Sequence, residues 1–417
     1  MMKKISSLLL FLSAVLFIAC SANDTPSGPV MDTDQVFTVN TGLDYYKGLT
    51  LQVGESGSTV PFGETIVDDT GCAAFNIDLT PYIGKNLWFC VPKMVKFFHT
   101  LKAAEATAMR LSLPDKDGGS TLDADATGLG NDWIVALYMG INKDGNSDIP
   151  IYWATGNLMA VKISAAGEPS EVAYHIADAT ETEREGLADN GLVGLDDRLV
   201  TNVADGYVNM PAGSKWDMYG FGDKTGLALF DMDKHKEYSI ATGQMSEDRS
   251  VVYWDISGDA RFDAARAQLG GLWRLPTCKN SGPNEFAAFE DDCEEYANQL
   301  PDGEFYGESG VTSFGTQYRY PVVIGGREVT VNTLQFPAAG FRHANKLYGA
   351  VGQYCLYWGG NADPAGSIPY TPGGSEWAEG KTMPKWFTAF NYGWLDGMLT
   401  WFPHPRTSSE AIRPVTE

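Results

Sequence analysis

Glycine occurs 46 times and proline 21 times in this 417-residue chain, and that punctuation limits what it can fold into. Helix interiors disfavour both, glycine through backbone entropy and proline through its missing N–H. A helical bundle is therefore not expected. The 11 tryptophans and 19 tyrosines suit pleated, half-buried surfaces, so the chain reads as loop-rich with substantial β structure. A hydrophobic share of 44% supplies enough apolar surface to exclude wholesale disorder. The length suits two or three domains of about 100–200 residues. Acids outnumber Lys plus Arg 53 to 30. The resulting net charge of −23 repels phosphate backbones and anionic headgroups, so nucleic acid is not an expected partner.

The N-terminus reads as an address. Lys3 and Lys4 form a cationic start, followed by a mostly apolar run from Ile5 to Ile18. No other stretch approaches roughly 18 consecutive apolar residues, so no transmembrane helix is expected. Phe17-Ile18-Ala19-Cys20 resembles a lipobox, in which a bacterial lipoprotein is cut before a cysteine that is then acylated. The resemblance implies a signal peptide over residues 1–19 and lipidation at Cys20; the alternative is an ordinary cleavage site with an incidental cysteine. Residues 20–35 are polar, with two prolines and three aspartates, as befits a flexible tether. Ser21 and Asp24 are compatible with outer-membrane or surface sorting.

Five further cysteines, Cys72, Cys90, Cys278, Cys293 and Cys355, are an odd number, so at least one stays unpaired within a monomer. Export permits disulfides, and Cys72 with Cys90 or Cys278 with Cys293 are close enough in sequence to try. The alternative for Cys293 is a buried thiol on a helix face. No CxxC or Cys/His cluster exists, and the five histidines have no zinc-ligand spacing, so neither metal nor cofactor is expected.

Residues 36–148 alternate in strands such as Phe37-Thr38-Val39, Phe75-Asn76-Ile77, Leu87-Trp88-Phe89-Cys90-Val91 and Trp133-Ile134-Val135-Ala136, separated by turns. A small β-sandwich is predicted there. Leu101 to Met109 reads equally as a short helix or a strand. Asp115-Lys116-Asp117-Gly118 and Asp144-Gly145-Asn146 lack the downstream glutamate of a calcium loop and read as solvated turns. Residues 149–417 form a second domain holding nine of the eleven tryptophans. Two helices are predicted in it. One is capped by Asp259, uses Phe262, Ala265 and Leu269, and stops at Gly270-Gly271; the other follows Phe286, Phe289, Cys293, Tyr296 and Leu300. The fold class is α+β.

Several stretches of the second domain fall in an order that resembles a known family. They are Tyr152-Trp153-Ala154-Thr155-Gly156-Asn157-Leu158, Tyr219-Gly220-Phe221-Gly222-Asp223, Asp255-Ile256-Ser257-Gly258, and Gly270-Gly271-Leu272-Trp273-Arg274-Leu275-Pro276-Thr277. Phe336-Pro337-Ala338-Ala339-Gly340-Phe341-Arg342, Tyr357-Trp358 and Ala411-Ile412-Arg413-Pro414-Val415 complete the set. Together they resemble the Fibrobacter-type major paralogous domain of Bacteroidota lipoproteins. That domain is similar to the sulfatase-modifying-factor branch of the C-type-lectin-like fold, to which formylglycine-generating enzymes also belong. Trp273 and Trp358 are expected as buried plates, Arg274 and Arg413 as loop-holding forks, and Pro276 and Pro337 as stiffeners.

The resemblance implies that a ligand is met between the motifs, on C-terminal loops that some relatives diversify with retroelements. The residues there are His343, Asn345, Lys346 and Tyr348, then Tyr354 and Leu356, then Asn391, Tyr392, Trp394 and Asp396, and finally Trp401, His404 and Arg406. Aromatic rings mixed with small polar groups have the composition of paratopes, although half of the rings would serve equally as core. No catalytic residue is nominated. Copper-dependent relatives use a close C-terminal cysteine pair where this chain has only Cys355, there is no G-x-S-x-G elbow, and the Glu-Pro-Asn and Trp-Asn-Asp signatures of calcium-dependent sugar binding are absent. The expected function is a lipid-anchored surface adhesin or receptor whose partner is an external protein or glycan. The alternative is a fimbrial tip or anchor subunit assembled with other fimbrial subunits.

Overall fold

The computed structural model describes residues 36–123, 130–145, 147–177, 211–226, 232–248, 252–278, 285–286, 288, 315–337, 339, 341–343, 355–362, 388–395, 398–405 and 408–417. The leader and tether expected over 1–35 lie outside them, as does most of the helix expected from Phe286 to Leu300. Strands dominate and helices are few.

The organising layer is an eight-stranded sheet. Its strands are β2 (Thr50–Glu55), β3 (Gly63–Ile66), β5 (Asn86–Val91), β6 (Val95–Thr100), β8 (Thr121–Asp123), β9 (Gly130–Asn142), β10 (Pro150–Ala154) and β22 (Val415–Thr416). The order is β22-β10-β9-β6-β5-β2-β3, with β8 on β9. Period-two patterning decides which way each residue faces. Leu87, Phe89, Val91, Val95, Phe97, Val135, Leu137, Ile151 and Trp153 enter one core, while Trp88, Cys90, Phe98, Ala136, Tyr138, Tyr152 and Ala154 enter another on the opposite face. Burial on both faces explains why these strands read as continuous apolar runs.

A three-stranded sheet, β4-β1-β7, covers the first face with β1 (Val36–Asn40), β4 (Cys72–Asn76) and β7 (Arg110–Ser112), contributing Phe37, Val39, Phe75 and Leu111 to the shared core. A hairpin of β15 (Gly315–Ile324) and β16 (Arg327–Pro337) adds Tyr318, Val322, Leu334 and Phe336. It is fastened where the Asn332 amide donates to the carbonyls of Met94 and Tyr138 at 2.7 and 2.9 Å. Tyr320 of the same hairpin lies against Gly140, whose φ of +82° and closeness to that ring both exclude a Cβ.

The expected boundary at 149 falls in the turn between β9 and β10, inside this one sheet. β10 also pairs with β22, in the registers Tyr152↔Thr416 and Trp153↔Val415. Residues 36–148 are thus continued on one side by strands from both ends of the second half. The anchor is Lys96, only 4% exposed, whose Nζ donates to the Glu417 backbone oxygen at 2.5 Å and lies 4.3 Å from the Trp88 ring centre. Burial pulls its pKa down from the usual lysine value. The Glu417 carboxylate meets Lys143 at 2.6 Å.

The remaining strands are β11 (Leu158–Lys162), β12 (Val172–Ile176) and β13 (Lys215–Trp216) in one sheet, and β14 (Met218–Gly220), β17 (Phe341–His343), β18 (Cys355–Ala362), β19 (Thr388–Leu395), β20 (Met398–Pro405) and β21 (Ser408–Ala411) in another. The ambiguous stretch near residue 105 is helix α1 (Ala103–Ala108), where alanines favour helix, Glu105 accepts from the Lys102 N–H at 2.8 Å, and Met109 ends the turn at φ +50°. Helix α2 (Met232–Ala241) was not expected from sequence, and α3 (Ala264–Leu269) was. The cap of α3 is Asp263, which accepts from Arg266 N–H, and not Asp259, which instead closes the preceding turn by accepting from Arg261 N–H. Asp115 likewise caps a short turn and accepts from Asp117 N–H. Cys90 is a buried thiol beside the Tyr152 hydroxyl at 3.4 Å, so the Cys72–Cys90 disulfide is not made.

Trp88 also fixes a glycine. Gly54 is its register partner, and a Cβ there would lie 2.2 Å from the indole. Gly54→Ala is expected to cost about 1–3 kcal/mol by overpacking. Gly57→Ala, in open space three residues on, should be close to neutral when both are compared by urea unfolding.

Candidate functional site

Of the residues expected at a ligand face, Leu356 lies on β18, and β18 is held by side chains on both of its faces. Tyr357 is buried against Phe336, with ring centres 5.1 Å apart, and donates to the Pro337 carbonyl at 2.7 Å. Trp358 faces the other way, packs edge-on against Phe221 and donates to the Tyr219 carbonyl at 2.7 Å. Gly359 and Gly360 follow because the chain passes so close to Cys278 and Ser257 that a Cβ would come within 2.3 and 2.6 Å of them. Gly360 N–H then donates to the Pro276 carbonyl and Cys278 N–H to the Asn361 amide oxygen. A crevice beside Trp358, lined by Phe221, Phe262, Leu275 and Ile412, is too tight for a water molecule.

Beyond β18 the sheet continues through β19 to β20. Register sets Tyr357, Tyr392 and Trp401 in one line across three strands, with Trp358, Asn391 and Phe402 in the next, and Cys355, Trp394 and Leu399 in a third. Among the described residues β20 pairs with β19 alone. Its composition agrees with an edge, since Pro403 and Pro405 lack the N–H that a strand paired on both sides would use. His404 pairs with Ala389, and His343 in β17 with Ser408. The structure thus brings Asn391, Tyr392, Trp394, Trp401 and His404 onto one antiparallel pair, with His343 in the same sheet. Leu356 is a correction: it is 1% exposed, because β18 is an interior strand, so it supports the face from within. Asn345, Lys346, Tyr348, Tyr354, Asp396 and Arg406 lie outside the described residues.

The motif arginines act as the expected forks. Arg274 makes a two-pronged pair with Glu285, Nη1 to Oε2 at 2.8 Å and Nη2 to Oε1 at 2.6 Å, and Glu285 also accepts from the N–H groups of Asp144 and Thr277. Arg413 donates to the Asn157 side-chain oxygen and to the carbonyls of Ala154 and Thr155, while the Asn157 amide donates to Asp217. All five side chains are buried. Sequence reasoning missed Glu285, Asn157 and Asp217; a fork needs an acceptor, so each arginine was itself the signal that buried partners exist. Among the described residues no three His, Cys, Asp or Glu side chains converge as metal ligands.

Asp263 organises the flank of this sheet. Fully buried, it accepts from the N–H groups of Gly258, Leu275 and Arg266. Burial nonetheless raises its pKa from 3.8 to about 6, with those bonds opposing the rise. Between these values the folded state holds a proton that the unfolded chain has released, so this group's contribution to stability is lost as pH rises from about 4 to 6. The loss is on the order of 3 kcal/mol. Asp263→Asn should be less stable at every pH, yet lack this component of the pH slope in chemical unfolding measured from pH 4 to 7; an unchanged slope would assign the titration elsewhere. Compared with known proteins, the chain matches no family model, no curated protein and no solved structure.

Proposed function

We propose that this chain is a lipid-anchored protein of the cell surface that binds an external protein or glycan ligand, without catalysis, through a C-type-lectin-like C-terminal domain of the major paralogous type. The observation that carries the reading is the β19–β20 pair, an outer ladder rich in aromatic and amide residues, Asn391, Tyr392, Trp394, Trp401 and His404, laid beside an interior strand. A rigid support lowers the ordering cost of a contact surface, and Tyr and Trp offer large area for few rotatable bonds.

Membership of a fimbria by strand addition along β20 fits the sequence less well. Prolines in a paired strand sit where the N–H would point away from the partner, so Pro403 and Pro405 remove donors from the edge of β20 that is unpaired among the described residues. An incoming strand would find half of that edge without N–H groups. The edge suits side-chain recognition better than polymerisation.

The full chain is the right reagent, because β10 and β22 are built into the sheet that begins at Thr50. Combined replacement of Tyr392, Trp394 and Trp401 by Ala should reduce binding to hits from glycan and protein arrays by about 100-fold or more, with the far-UV spectrum kept. Retained affinity would remove the site assignment. Separately, Cys20→Ser should shift the protein from the membrane fraction to the soluble fraction and abolish its labelling by radioactive palmitate. Continued labelling would place the anchor elsewhere.

A further inference from the structure

We infer that Tyr253, Asp259 and Arg261 form a subsite for adjacent hydroxyl groups of a neutral sugar ring; this rests on the glycan form of the function proposed above. The Arg261 side chain is 57% exposed, yet it is held from two directions. Its Nε donates to the two carboxylate oxygens of Asp259 at 3.0 and 3.2 Å, and Nη2 donates to Oδ2 at 2.6 Å. The guanidinium carbon lies 4.7 Å from the Tyr253 ring centre and 4.9 Å from that of Phe262. An exposed arginine ordinarily samples many rotamers, so this arrangement removes ordering cost before a ligand arrives.

The backbone beneath is equally constrained. Asp259 accepts from Arg261 N–H, Ser257 Oγ donates to the Leu275 carbonyl at 2.6 Å, and buried Asp263 ties Gly258 to Leu275. The segment also adjoins the proposed ligand face. Asp255 bridges to Asn361, Ala362 N–H donates to the Trp254 carbonyl at 2.5 Å, and register then runs from Ala362 to Ala389 and on to His404 of β20.

Valence selects the ligand. With Nε and one Nη2 hydrogen committed to Asp259, Nη1 has a single contact among the described residues, the Tyr253 hydroxyl at a long 3.5 Å. The second Nη2 hydrogen and the remaining lone pairs of Asp259 Oδ2 lie next to each other across that 2.6 Å bond. Each hydroxyl of a vicinal pair is both donor and acceptor, so one can accept from Arg261 while its neighbour donates to Asp259. The ion pair is neutral as a unit, Asp255 is exposed nearby, and the chain carries a net charge of −23, so an anionic sugar is repelled where a neutral one is not.

The test is saturation-transfer NMR with calorimetric titration of the full chain against methyl α-mannopyranoside, methyl β-galactopyranoside and N-acetylneuraminic acid. At least one neutral glycoside should bind and the acid should not. Arg261→Ala and Asp259→Asn should each weaken binding at least tenfold at an unchanged melting temperature, and Arg261→Lys should not restore it, because the fork is lost. A wild type that binds neither neutral glycoside, or that binds the acid equally well, would overturn the subsite. A signal kept in Arg261→Ala but lost when Tyr392, Trp394 and Trp401 are replaced overturns the subsite and leaves the proposed function standing. The converse pattern supports the subsite and removes the aromatic ladder from the binding face.

Discussion

Three cations around Glu417 hold the two halves of this protein in one sheet. Lys96 reaches its backbone oxygen from β6, and Lys143 and Arg274 approach its carboxylate from the β9–β10 turn and from the Trp273 loop. A buried ammonium is costly to desolvate, and Lys96 offsets that cost with one charge-assisted hydrogen bond and the face of Trp88. Moving Glu417 away would leave Lys96 without its oxygen partner beneath the rings. The two-residue strand β22 has too few ladder bonds to hold its own place. Charge adds to its pairing with β10, to the reciprocal backbone bonds between Arg274 and Val415, and to the full burial of Val415.

From that closure comes the distinction between interior and outer strands. β18 lies between two cores, with Tyr357 in the core it shares with the N-terminal strands and Trp358 in the core built by Phe221, Phe262 and Leu275. Both of its faces are spent on packing. The ligand contacts proposed for this sheet therefore draw on β19 and β20, and those of the inferred sugar subsite on the flank at Tyr253–Arg261.

Much of the strand content could be read from the chain because a sheet buried on one or both faces writes its pattern locally. Leu87-Trp88-Phe89-Cys90-Val91 is apolar throughout since alternate residues serve two cores. Trp273, Trp358, Arg274 and Arg413 could be read because large buried plates and forked donors suit few other roles. The pairing of β22 with β10 could not: two residues carry no periodicity, and their partner lies more than 260 positions earlier. Asp259 and Asp263 both precede α3 with suitable spacing, and only the turn closed by Asp259 decides which of them caps the helix. Leu356 looked like a loop residue because Tyr354 and Cys355 beside it are polar or small, whereas the strand begins at Cys355 and draws it inward.

The same reasoning separates the structural aromatic Tyr357 from Tyr392 and Trp401, for which a ligand contact is proposed. Tyr357, Tyr392 and Trp401 stand in one register line, so a single sequence pattern of alternating rings runs from the core to the edge of the sheet. At the inner end Phe336 and the Pro337 carbonyl satisfy Tyr357 completely, ring and hydroxyl alike. At the outer end, among the described residues, β20 pairs with β19 alone, and Pro403 and Pro405 lack the N–H that a second partner would use. The binding role proposed for Tyr392 and Trp401 thus starts from a backbone register fixed at its inner end by a fully satisfied core tyrosine.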